Sequence, residues 1–190
     1  MMFKATPLFA PLFAVAAAAL AATPALAQST SDTSEFAVIG NVPALCSGGT
    51  ISGANATFDL GVLVNTSTGL LRPDLSAPSK VITGSFCSAR STINVDADAM
   101  AAQTFTATPP AGFSRTVHYV ATASGWTVTP ASFDTAQAVN SAATQSRDTA
   151  FTGDITVALS NFTTAGGNAL RLVADPSYLG TVTVTLAAAE

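Results

Sequence analysis

Short runs of alternating residues, dominated by Thr and Val, constrain this chain more than any other feature. In 92–97 (TINVDA) and 180–186 (GTVTVTL) apolar and polar residues alternate, and 116–122 (TVHYVAT) and 154–162 (DITVALSNF) carry the same strand spacing less strictly. That period of two is the signature of strands with one face in a core, and no segment shows the 3.6-residue period of a helix. Further strands are predicted over 36–42, 57–64, 81–86, 104–108 and 169–173, with 125–129 continuing the strand before it. Gly and Pro clusters such as 109–112 (PPAG) and Gly166-Gly167 mark the turns between them. Residues 131–149 are polar, Ala-rich and irregular, and read as loop. Eight to ten short strands without an internal repeat or linker predict an all-β, single-domain sandwich.

The ends of the chain narrow its setting. Lys4 precedes an apolar, uncharged run at 7–20 (PLFAPLFAVAAAAL), and Ala25-Leu26-Ala27 follows as a small-x-small cleavage site. This is the pattern of a secretion signal over residues 1–27, and Pro11 interrupts the run as a membrane span. The mature chain is then expected to start at Gln28. It would carry a flexible polar segment over 28–35 (QSTSDTSE) and the sandwich over 36–190, with no later integral membrane span. An exported protein of the periplasm, cell surface or medium is expected.

Charge excludes several partners. Seven basic residues face eleven acidic ones, and charged residues make up only 9% of the chain. Nothing there neutralises a phosphate backbone, so a nucleic-acid partner is not expected.

Cys46 and Cys87 are the only cysteines. Two cysteines in an exported chain are expected to pair. The loop closed would be about 42 residues, worth roughly 4 kcal/mol by chain entropy. A metal pair or a reactive thiol is the alternative. It lacks a C-x-x-C, and the single His118 lies far along the chain.

The search for chemistry yields little. A Ser-His-Asp set would have to use His118 with Asp134 or Asp154, and there is no G-x-S-x-G elbow. Asp96 and Asp98 share one strand face without a calcium loop. Gly48-Gly49 lacks the Lys of a phosphate loop. No catalytic residues, metal or cofactor are expected, and the chain reads as a non-enzyme. Trp126 is either core or an aromatic platform for a glycan.

The order of these signals carries a resemblance. An alternating segment with a glycine, Phe36-Ala-Val38-Ile-Gly40-Asn-Val42, runs up to Cys46. Phe58-Asp-Leu60-Gly61 follows, then Ser85-Phe86-Cys87, and finally the strand at 180–186 close to the C-terminus. This layout resembles subunits of chaperone–usher pili and their secreted relatives, including spore-coat-U-like proteins. The resemblance implies an immunoglobulin-like sandwich missing its last strand, completed by the N-terminal segment of the next subunit. Phe36, Val38 and Val42 would enter a neighbour's groove, and Gly40 would let the backbones approach. Identical or related subunits, a periplasmic chaperone and an outer-membrane usher would be the partners. The other reading is a self-contained secreted module, with Trp126 as its glycan platform.

Overall fold

The computed structural model describes residues 33–52 and 56–189. The chain divides into two units, Met1–Gly40 and Asn41–Glu190. In the first, residues 33–40 form no strand and are exposed. The proposed signal segment and residues 28–32 lie outside the described residues.

The second unit is all-β, with no helix among the described residues. Its strands are β1 (Cys46–Ser47), β2 (Thr50–Ile51), β3 (Lys80–Cys87), β4 (Ser91–Ala102), β5 (Phe113–Ser114), β6 (Thr116–Ser124), β7 (Ala131–Asp134), β8 (Thr144–Arg147), β9 (Phe151–Thr164), β10 (Arg171–Leu172) and β11 (Tyr178–Ala188). An antiparallel sheet runs β1-β3-β9-β6-β4-β11, with β2 on β3, β7 on β6 and β8 on β4. A separate two-stranded pair, β5 and β10, is parallel.

The sheet opens into two layers. β4 and β6 pair only where Met100 and Ala101 meet Val117 and Thr116. Beyond that corner β6 pairs with β7 and β4 with β8. The inward residues of the diverging strands still meet: Ile93, Val95 and Ala97 of β4 share one core with Val117, Tyr119 and Ala121 of β6 and Ile155 and Val157 of β9. Two diverging strands can bury the same residues only by facing each other across a core, the arrangement of a β-sandwich.

The alternation in β4 slips once. Ile93, Val95 and Ala97 point inward, and after Asp98 the phase shifts to Met100 and Ala102. The slip coincides with a bulge in the β4–β11 pairing between Leu179 and Thr181. Gly180 sits in that bulge, where a Cβ would lie 2.6 Å from the Asp98 carbonyl oxygen. Any side chain there would push the two backbones apart.

Cys46 and Cys87 are bonded and stand directly opposite each other in the β1–β3 ladder. Ser88 locks the same corner: the Leu45 N–H donates to Ser88 Oγ at 3.0 Å, and the Ser88 N–H donates to the Leu45 carbonyl at 2.9 Å.

Several strand expectations are corrected. Among the described residues the main chain of 57–60 makes no hydrogen bond, and pairing begins only where the Arg72 N–H donates to the Leu63 carbonyl and Val64 bridges Leu71. Gly61 explains the break: it takes a positive φ of 62°, and its N–H donates to Asp59 Oδ1 at 2.9 Å, a local turn that competes with a ladder. Residues 104–108 are loop, because Asp175 captures their main chain. Residues 125–129 are turn, opened by Gly125 at φ 94°. The strand expected over 169–173 shrinks to β10. Residues 131–149, read as loop, contain β7 and β8.

Trp126 is core, which corrects its candidacy as a glycan platform. It is 0% exposed. Its Nε1–H donates to Ser91 Oγ at 3.2 Å, and its ring meets Phe151 edge-on at 5.2 Å. The Arg147 guanidinium stacks 3.6 Å from the Phe151 centroid and donates to the Trp126 carbonyl at 2.7 Å. Neither face of the indole is open to a sugar.

Candidate strand-acceptor cleft

β11 is an edge strand, paired with β4 alone. Its side chains alternate strictly. Thr181, Thr183 and Thr185 are exposed on the outer face, opposite Asp98, Asp96 and Asn94. Val182, Val184 and Leu186 point toward the core but stay half-buried, while Ile93 and Val95 beside them on β4 are fully buried. Apolar side chains directed at a core and left partly in water mark a layer that lacks a neighbour on that side.

The facing wall is the segment 56–64. Phe58 and Leu60 pack against the core, while Asp59 and Gly61 are exposed. Among the described residues the main chain of 57–60 makes no hydrogen bond. Between this wall and the start of β11 lies an open cleft of about 820 Å³, lined by Val62, Phe113, Leu172 and Leu179 among others. A deeper recess of about 360 Å³ reaches Phe58, Met100, Tyr119, Leu159 and Val182. The cleft therefore has a mainly apolar lining that also includes Asp59, Arg171 and Asp175, with unpaired backbone along one wall and the edge of a sheet along the other.

Two residues fix the β11 wall. Tyr119, from β6, crosses the core and sets its hydroxyl 2.7 Å from the Asp98 carbonyl and 2.9 Å from the Thr181 carbonyl. Burial, with a smaller contribution from the Asp98 charge, pushes its pKa up to about 12. Tyr119→Phe is expected to cost about 1–3 kcal/mol by leaving buried carbonyls short of a donor. A raised phenol pKa stabilises the fold fully below the unfolded value of about 10. The deficit of the Phe variant, read by urea melts at several pH values, should therefore hold to about pH 10 and narrow above it, toward about 12.

Asp175 fixes the strand's entry. Its Oδ2 accepts from the Thr104 hydroxyl at 2.7 Å, the Phe105 N–H at 2.7 Å and the Thr104 N–H at 2.8 Å, and its Oδ1 accepts from the Ser177 N–H at 2.8 Å. Desolvation raises the pKa of this carboxyl, but the donors together outweigh it and hold it well below the usual carboxylate range. Because the folded pKa is depressed, this contribution is present above the ordinary aspartate value and is lost only as pH falls toward the folded one. Asp175→Asn should lower the melting temperature at neutral pH, with the gap closing only in strong acid. An unchanged melting temperature at pH 7 would contradict that role.

The structure treats the other sequence candidates differently. Phe36 (87% exposed), Val38 (96%) and Val42 (81%) lie in water, and none of them, nor Gly40, is in a strand. The alternation that predicted a strand over 36–42 is therefore present in the sequence and unpaired in the chain. His118 is half-buried, with Nδ1 3.3 Å from Thr135 Oγ1. Asp96 and Asp98 are exposed on the outer face of β4.

The sequence reading missed Met100, Tyr119, Tyr178 and Leu179 as cleft residues. Tyr178 lies ahead of the strand predicted over 180–186; it opens β11, and its hydroxyl donates to the Val173 carbonyl at 2.8 Å. The signal that could have found the cleft is the strict alternation of β11, whose apolar face needs cover from another strand. No family model, curated protein or solved structure matches this chain. Among the described residues no helix is long and apolar enough to cross a membrane.

Proposed function

We propose that this protein is an exported structural subunit of a bacterial surface assembly, pilus-like or coat-like, in which each copy lends residues 36–42 to the cleft of the next. One observation carries the reading. The same chain holds an exposed, strand-patterned apolar segment and an apolar cleft whose walls offer unpaired backbone. Each supplies what the other lacks: Phe36, Val38 and Val42 need burial, and the half-buried row Val182, Val184 and Leu186 needs cover. Strand addition meets both needs, with main-chain hydrogen bonds giving affinity and alternate side chains giving specificity.

In this reading the sandwich is immunoglobulin-like and one strand short. The disulfide fits an oxidising compartment. A periplasmic chaperone and an outer-membrane usher would handle the open cleft before assembly, as the resemblance to chaperone–usher subunits implies. The work of such a protein is structural, and no catalytic residue is assigned. The self-contained glycan module loses its main support with the burial of Trp126.

The test is electrophoresis of purified protein in SDS with and without boiling. A ladder of oligomers that collapses to one band on boiling is the expected result. A single monomer band at every concentration, boiled or not, would reject assembly.

A further inference from the structure

We propose that residues 57–60 are a strap that closes the cleft by pairing with the free edge of β11 in the unassembled subunit, a step that rests on the assembly reading only for its consequence.

Described chain on both sides of the strap is hydrogen-bonded, while the main chain of 57–60 is not. Upstream, the Ser52 N–H donates to the Val81 carbonyl at 2.8 Å. Downstream, the Arg72 N–H donates to the Leu63 carbonyl at 2.9 Å. The Arg72 guanidinium reaches the Val62 carbonyl at 3.4 Å and pairs with Asp74 at 2.8 Å. Between these anchors the backbone of 57–60 is unpaired, and Gly61, at φ 62°, supplies a hinge.

Its sequence is that of a strand. Phe58 and Leu60 face inward and Asp59 outward. A strand's alternation keeps that assignment when the backbone joins a ladder, so closure moves Phe58 and Leu60 deeper into the cleft. The position also suits. Residues 56–60 face 178–182 across the inner recess, while Val64 bridges Leu71 and Leu70 bridges Arg171. An uncovered sheet edge invites indiscriminate pairing, and proteins cover such edges. The strap covers this one until a donor displaces it.

Hydrogen exchange on the Val38→Asp chain tests the idea, because that chain cannot lend its own segment to a cleft. Amides of 57–60 should exchange at least tenfold more slowly than those of 33–40. Adding Asp59→Pro, at an exposed position, should remove that protection and speed exchange at the edge amides of 179–182. Strap amides that exchange as fast as 33–40 overturn the proposal. So does a β11 edge indifferent to Asp59→Pro. With Val38 intact, Asp59→Pro should assemble several-fold faster. Protected strap amides in a protein that never forms the SDS-resistant ladder would remove the assembly reading alone. A ladder from a protein whose strap exchanges freely would remove the strap alone.

Discussion

Val38→Asp should abolish the SDS-resistant ladder while leaving the monomer's thermal melt unchanged. Val38 is 96% exposed in the chain, so in the monomer the aspartate stays in water, and such surface changes alter stability by no more than about 0.5 kcal/mol. In a neighbour's cleft the same carboxylate would leave water among half-buried apolar side chains such as Val182, and Arg171, the cation in the cleft lining, already donates to the Thr68 carbonyl at 3.1 Å. An uncompensated buried charge costs about 3–5 kcal/mol. That is a loss of roughly 10²- to 10⁴-fold in affinity at every junction, since each 1.4 kcal/mol is tenfold. Val38→Thr, nearly isosteric and uncharged, should assemble far better than the aspartate. A melt on the isolated monomer beside the gel separates the outcomes. A monomer whose melting temperature drops sharply would show that Val38 belongs to its own domain's core, and the lending of 36–42 to a neighbour would have to be abandoned.

Cys87→Ser should lower the stability of the second unit by about 2–5 kcal/mol, the usual loss for a native disulfide. For a domain of this size that corresponds to a fall in melting temperature on the order of 10 °C. Local geometry adds to the entropy argument. β1 and β2 are two residues each, too short to hold on β3 by their own ladders, and Cys87 is fully buried. The serine hydroxyl would also enter that buried site without an assured partner. Thiol titration of the denatured, unreduced wild type should find no free thiol. Two free thiols, or a serine variant that melts with the wild type, would contradict the account.

The strands buried by the core were legible because their neighbours act on every second residue. β3, β4, β6, β9 and β11 all fall on strand-patterned segments of the sequence, and the structure mainly extends them. The failures have separate physical causes. The run 57–64 has the pattern of a strand but meets a partner only at Leu63 and Val64, and the turn between Asp59 and Gly61 breaks it. β7 (Ala-Ser-Phe-Asp) and β8 (Thr-Gln-Ser-Arg) are four residues each and mix strand formers with residues that disfavour strands, so no clear alternation marks them, and they are fixed by pairing with β6 and β4. Trp126 lies in a turn beyond β6, so its burial depends on Phe151 and Arg147, which arrive from later in the chain. The disulfide followed from counting two cysteines in an exported chain. The cleft was hidden because it is defined by a neighbour that β11 lacks, and that requires knowing the strand order.

The corner at Cys46 also decides how the molecule would respond to being stretched. A pull on the residues ahead of it reaches Leu45, held by two hydrogen bonds to Ser88, and then the covalent bond from Cys46 to Cys87. β3 is itself laddered along its length to β9. Tension therefore passes directly into the sheet, and the 41-residue span from Cys46 to Cys87 is bypassed. That span contains β2 and the wall of the cleft formed by 56–64. A filament of such units could be drawn taut without peeling that wall away from its cleft, so each grip would keep its shape under strain until the disulfide was reduced.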